Sequence, residues 1–150
     1  MLNIRKFAVA TGILVIMLSA AGCHHKRPKN AGVVVPVPQL WEKGQKALRK
    51  GHTVTARRYF DEISLRNDAG KYKDKAAIAT ADSYYQEHNI ASYAEAITRY
   101  QSFLAFHPTS TDAPYCQYMI GQAYLEEVET PDRDVTPAQK AREAFQNLLE

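Results

Sequence analysis

From Leu40 onward, apolar residues recur three and four positions apart, glycine is scarce and runs of β-branched residues are absent. That spacing predicts helices rather than strands. The segment LWEKGQKALRKGHTVTARRYFDEISLRND reads as two helices broken at Gly51-His52. The first offers Leu40, Ala47 and Leu48 to a core, with Gly44 thinning the same face, and the second offers Ala56, Tyr59, Phe60 and Ile63. A second pair is predicted from about Asp74: AAIATADSYYQEHN, a break near Ile90-Ala91, then SYAEAITRYQSFLAFHP. Its apolar stripe is Tyr93, Ala96, Ile97, Tyr100, Phe103 and Leu104, and Pro108 stops it. A third pair starts at Pro114 with PYCQYMIGQAYLEEV and resumes, past an acidic loop, in TPAQKAREAFQNLLE. Thr136 is expected as the cap of that last helix, with Pro137 at its first position. The pattern therefore predicts an all-α chain of about three helical hairpins, at roughly 40–68, 74–108 and 114–150.

Self-similarity at this period is the mark of stacked hairpin repeats, and the spacing of small and aromatic residues resembles the tetratricopeptide pattern. Gly44 and Gly121 stand where the first helix of a pair must be thin, and Ala56, Ala96 and Ala141 where the second helix crosses it. Phe60, Tyr100 and Phe145 follow those alanines by four. Small residues let two helix axes approach, and an aromatic one turn later fills the space beyond them. The third pair departs from the others: Tyr124 to Ala141 spans 17 positions where Glu87 to Ala96 spans 9, and the extra stretch holds ETPDRDVTP. Inserted loops of this length are often functional. Asp132 and Asp134 lack the further oxygens of a calcium loop. Arg133 between them is expected to pair within the loop or with a partner.

Ahead of the helices the hydropathy pattern changes character. Arg5 and Lys6 are followed by an uncharged stretch from Phe7 to Ala21, closed by the small residues Ser19, Ala20, Ala21 and Gly22 before Cys23. A positive start, an apolar middle and a small-residue exit describe a secretory signal. As a helix the stretch would be roughly 22 Å long, short of the roughly 30 Å of a bilayer core, which disfavours a permanent span. Ala20-Ala21-Gly22-Cys23 resembles the end of a bacterial lipoprotein signal, although leucine is commonest where Ala20 stands. The resemblance implies cleavage after residue 22, a diacylglyceryl group on the Cys23 sulfur and acylation of the new amino terminus. Acyl chains of that kind anchor a protein firmly to a membrane. Residues 1–22 are thus expected to be a lipoprotein signal peptide. Residues 23–39, with Pro28, Pro36 and Pro38, are expected to form an extended lipidated tether.

Charge adds a polarity. The whole chain carries +3, and residues 23–150 carry +1, since Arg5 and Lys6 fall in the signal. Residues 23–75 hold 13 Lys/Arg against 5 Asp/Glu, and residues 76–150 hold 4 against 11. A basic end beside a lipid anchor suits anionic headgroups or a partner of opposite charge. With Cys23 lipidated, Cys116 is the one remaining thiol, so an intramolecular disulfide is excluded, and its apolar setting suits a small buried hydrophobe. No cofactor beyond the covalent lipid on Cys23 is expected. His24-His25 lacks further ligands at metal-binding spacing. Enzyme motifs such as Gly-x-Ser-x-Gly, His-Glu-x-x-His or a phosphate loop are absent from the sequence. Nucleic acid is a poor partner for an exported, anchored chain despite a pI near 8.8.

Four features together resemble the BamD family, lipoprotein subunits of the outer-membrane β-barrel assembly machine. They are the cysteine with its Pro-containing tether; ADSYYQEHN before AITRYQSFLAFHP; PYCQYMIGQAYLE; and PDRDVTPAQKAREAFQNLLE. The family's recurring residues fall here on Ala81, Asp82 and Tyr84; on Phe103, Leu104, His107 and Pro108; on Tyr115, Tyr118, Met119 and Gly121; and on Asp132, Arg133 and Asp134. The resemblance implies a scaffold anchored by lipid at the periplasmic face of the outer membrane. Its partners would be unfolded barrel precursors and the other assembly subunits. Family members continue through about two further repeats, so this chain is expected to be the amino-terminal portion, truncated within an amphipathic helix. The alternative is another periplasmic tetratricopeptide adaptor lipoprotein in envelope or cell-division coordination.

In stacked hairpins the first helices line the concave side. Their outward positions are predicted to be Trp41, Gln45 and Arg49 in the first hairpin, and Ile78, Tyr85 and Asn89 in the second. In the third they are Tyr115, Tyr118 and Gln122. Aromatic rings with polar tips beside amides suit an extended peptide, with Arg49 as an assisting cation. Tyr84 and Tyr100 are expected in the core instead.

Overall fold

Gly51 shows how local chemistry divides the chain. Its φ of 73° ends the first helix. The amides of Gly51 and His52 donate to the carbonyls of Leu48 and Ala47, at 2.9 and 3.0 Å. This is a Schellman closure, in which glycine takes the left-handed position at no steric cost. The computed structural model describes residues 34–128 and 134–149. The predicted signal peptide, Cys23, most of the tether, Asp132 and Arg133 lie outside the described residues.

Six helices follow in order: α1 (Val37–Arg49), α2 (Thr53–Ser64), α3 (Tyr72–Tyr85), α4 (Ile90–Phe106), α5 (Ala113–Glu126) and α6 (Thr136–Leu149). Each packs mainly on its neighbours in chain order, and α1 also meets α3. The result is the all-α stack of three hairpins that the periodicity predicts. No strand occurs among the described residues, and none of their helices is long and apolar enough to cross a membrane.

Two apolar clusters hold the stack together. One gathers Leu40, Ala47, Ala56, Phe60, Ile63 and Ala76 around α1, α2 and the start of α3. The other gathers Ile78, Ala96, Tyr100, Cys116, Ile120 and Ala144 through α3 to α6. The small-residue positions do what their spacing predicts. A Cβ built on Gly44 would lie 2.9 Å from Cδ1 of Phe60 and closer still to Cε1, and one on Gly121 would lie 2.5 Å from Cε1 of Phe145. Ala56 and Ala96 are completely buried and Ala141 nearly so. Cys116 is buried too, and burial pushes its thiol up to about 12.

Three expectations need correction at element ends. Val37–Gln39, assigned to the tether, form the first turn of α1, with Pro36 as its N-cap and Pro38 in the first turn. Proline suits that place because its missing N–H has no intrahelical acceptor there. Val37 is buried, and the Arg66 guanidinium donates to the Val35 carbonyl, fixing the chain entry to the α2–α3 connection. The second helical pair begins at Tyr72 rather than near Asp74, and its break precedes Ile90 and Ala91, which already lie in the first turn of α4 behind the Asn89 cap. In the third, Thr136 is not the cap: it is already helical, and its amide donates to Asp134 Oδ1 at 2.8 Å. Thr136 holds the Asp134 carboxyl below its usual range, through its side chain first and this amide bond second.

The turn between α3 and α4 is clasped by Glu87. Its Oε1 accepts from Thr53 at 2.9 Å and from Arg57 at 2.5 Å, and its Oε2 accepts from Ser92 at 2.6 Å. One carboxylate thereby ties the first hairpin to both helices of the second. The same Arg57 stands 4.1 Å from the Tyr84 ring centroid, and Arg99 stands 4.8 Å from it. Tyr84 is half-buried beside two guanidiniums, the favourable cation–π geometry.

Candidate functional site

Helix α3 carries Ile78 and Asp82 one turn apart, and the neighbouring first helices bring their own residues to the same face. Trp41 and Gln45 come from α1, Asp112 and Tyr115 from the start of α5, and Lys75, Ile78, Ala79 and Asp82 from α3. Together they line a groove of about 230 Å³. Trp41 is held by its rings' neighbours, with centroids 5.5 Å from Phe60 and 6.0 Å from Tyr72. All three hairpins therefore contribute to one surface, as stacking of the first helices requires.

Asp82 is the chemical centre of this groove. Its Oδ1 accepts from the hydroxyl of Tyr100 at 2.6 Å and from that of Tyr115 at 2.9 Å. The two rings meet edge to face, with centroids 6.4 Å apart. Burial raises the Asp82 carboxyl above its usual range, and the two hydroxyl bonds pull the other way without cancelling it. Both phenols are pushed up in turn, by burial first and by the Asp82 charge second. Tyr100 is wholly buried, whereas Tyr115 keeps 43% of its surface exposed.

Of the predicted surface, the structure gathers Trp41, Gln45, Ile78 and Tyr115 in this groove. Ile78 is buried against the core, so it contributes a wall and not a free side chain. Tyr118 and Gln122 lie further along α5, where the Gln122 amide donates to the Tyr118 hydroxyl at 2.8 Å and the Tyr118 ring packs on Phe145. Tyr85 is half-buried, with its ring 5.4 Å from Tyr93. Its phenol is pushed up by burial and by the charge of Glu126. Arg49 is exposed at the end of α1 and is not among the groove's lining residues. Asn89 is exposed and also has a local task. It is the N-cap of α4, accepting from the Ser92 amide at 3.0 Å, because the first helical amides need an acceptor there. In the predicted partner loop, Asp134 is engaged with Thr136 as described above.

Lys75, Asp82 and Asp112 were missed as groove residues. A usable signal existed for Asp82: it is a lone carboxylate in the otherwise uncharged stretch from Ala76 to Tyr85. A charge placed there must find partners or face an opening.

A stacked array of helical hairpins with an aromatic groove along its first helices defines a repeat scaffold of the tetratricopeptide type. The model of the family described as "YfiO: Outer membrane lipoprotein" matches residues 35–150, and the chain belongs to that family. Curated relatives agree with the family resemblance drawn from the motifs. The outer membrane protein assembly factor BamD of Xylella fastidiosa (strain 9a5c) is 25% identical over 158 residues, covering 96% of this chain and 53% of the relative. The BamD of Xylella fastidiosa (strain Temecula1 / ATCC 700964) is 25% identical over 148 residues, covering 92% and 50%. The BamD of Caulobacter vibrioides (strain ATCC 19089 / CIP 103742 / CB 15) is 26% identical over 145 residues, covering 95% and 47%. The chain spans about half the length of the curated relatives it matches.

Proposed function

We propose that this chain is a lipid-anchored, non-enzymatic scaffold of the outer-membrane β-barrel assembly machinery, at the periplasmic face of the outer membrane. It holds extended segments of unfolded outer-membrane proteins and docks other assembly subunits. Family membership and the name shared by the relatives support the assembly role. The observation that carries peptide binding is the convergence of Trp41, Ile78 and Tyr115, one from each hairpin, on a single groove. Such a line of aromatic and apolar walls suits alternate side chains of an extended strand. Lipid on Cys23 supplies the anchor, and the loop around Asp132, Arg133 and Asp134 is a contact for a partner subunit.

The test is photocrosslinking in intact envelopes, with p-benzoylphenylalanine at position 115 and, as control, at exposed Arg58 on α2. The expected result is adducts with unfolded barrel precursors from position 115 and not from position 58. Adducts with cell-wall or division proteins instead would replace this reading by the envelope-adaptor alternative.

A further inference from the structure

The groove is walled by rings yet floored by a carboxylate with one oxygen to spare. Both tyrosine hydroxyls that bond Asp82 meet Oδ1, so Oδ2 receives neither of them. Asp112 adds a second carboxylate to the lining beside Tyr115, and Trp41 stands across from them on α1. Lys75 carries the opposite sign, but it is exposed and its long stem can keep the ammonium in water. At about 230 Å³ the cavity falls below the roughly 300–1,000 Å³ typical of small-molecule pockets, which suits one long side chain of a larger ligand.

We propose that the Asp82 end of the groove reads a lysine or arginine side chain of the bound extended peptide, pairing it with Asp82 Oδ2 and Asp112 between the rings of Trp41 and Tyr115. This rests on the peptide-binding reading above and names the residue class that the groove selects. Two carboxylates and two aromatic faces are the groups that attract a desolvated cation. The burial that raises the Asp82 carboxyl makes an incoming positive charge more valuable there than at the surface. A peptide carboxylate would meet repulsion at the same point, so the groove does not capture a chain terminus.

The experiment uses the full chain in detergent and fluorescent peptides that are extended, aromatic-rich and identical except at one position, occupied by lysine, arginine, norleucine or glutamate. Lysine and arginine peptides should bind about fivefold or more tighter than the norleucine peptide, with glutamate weakest. Asp82→Asn, which keeps an acceptor for both tyrosine hydroxyls, should remove most of that preference. Asp112→Asn, at a side chain that makes no cap hydrogen bond to its helix, should reduce it independently of any effect on folding. Equal binding of the lysine, arginine and norleucine peptides to the unmodified chain would overturn the charge selection while leaving peptide binding intact. Absence of binding by all four peptides would overturn both.

Discussion

Replacing Gly44 by alanine adds one methyl group to the face of α1 that meets α2. Carbon atoms in contact rest about 3.5–4.0 Å apart, and this methyl would lie 2.9 and 3.0 Å from Cδ1 and Cζ of Phe60, with Cε1 closer still. Phe60 is wholly buried, with Trp41 5.5 Å from it on α1, so its ring has no open side to swing toward. Overpacking of this kind costs about 1–3 kcal/mol, and the severity of the overlap puts it near the upper end. Alanine returns about 1 kcal/mol of helix propensity. The net expectation is a loss of about 2 kcal/mol, which for a domain of this size lowers the melting midpoint by about 8 °C. Gly121→Ala creates a comparable overlap, 2.5 to 2.8 Å from the Phe145 ring, but Phe145 is only half-buried and can turn outward. There the propensity gain should nearly cancel the cost. Circular dichroism melts of both variants, with Gly44→Ala/Phe60→Leu to close a double-mutant cycle, measure the difference. A Gly44→Ala chain as stable as the parent, or a double mutant whose effects simply add, would refute the close-packing account of this glycine.

Glu87 gives a pH-dependent expectation. Its carboxyl is held below its usual range, by the Ser92 bond first and the Arg57 and Thr53 bonds after it. A lowered folded value means that its contribution is present at neutral pH and is lost as pH falls below about 4.5, the ordinary glutamate value. Glu87→Gln should therefore be less stable than the parent at neutral pH, with the gap closing in acid; urea midpoints that differ equally at both pH values would contradict this. Ala96→Leu inserts bulk where a fully buried alanine lets α4 approach α3, and should cost about 1–3 kcal/mol in the same urea titration. An unchanged midpoint would remove Ala96 from the helix crossing. Cys23→Ser should abolish tight membrane association, read by fractionation after a high-salt wash; a variant that still behaves as a mature outer-membrane protein would refute lipid anchoring at this cysteine.

Helix existence and pairing were legible along the chain because both depend on near neighbours. A stripe repeating every three or four residues defines a helix face, and Gly51 and Pro108 interrupt it by backbone chemistry alone. The thin positions Gly44 and Gly121 and the aromatics Phe60 and Phe145 were also legible from the repeat pattern, and the packed structure sets each glycine against one of those rings. Helix ends were less so: Pro36 rather than Leu40 opens the fold, and Asp134 takes the capping bond expected of Thr136.

The division of labour among side chains on one helix face was decided only in three dimensions. Ile78, Asn89 and Tyr115 all fell on outward positions of the repeat, yet Ile78 is a buried wall of the groove, Asn89 is a helix cap and Tyr115 lines the groove with a half-exposed ring. How far a side chain emerges depends on the angle and offset at which the next hairpin stacks, and no local period encodes that rotation. The same holds for the polar contacts that join distant segments. Asp82 meets a hydroxyl 33 positions away, and Glu87 meets one 34 positions away. Sequence determined the hairpins and the small residues that let them close. Stacking chose which tyrosines hold a half-buried carboxylate at the floor of the groove, because only packed neighbours can desolvate a charge and bond it at once.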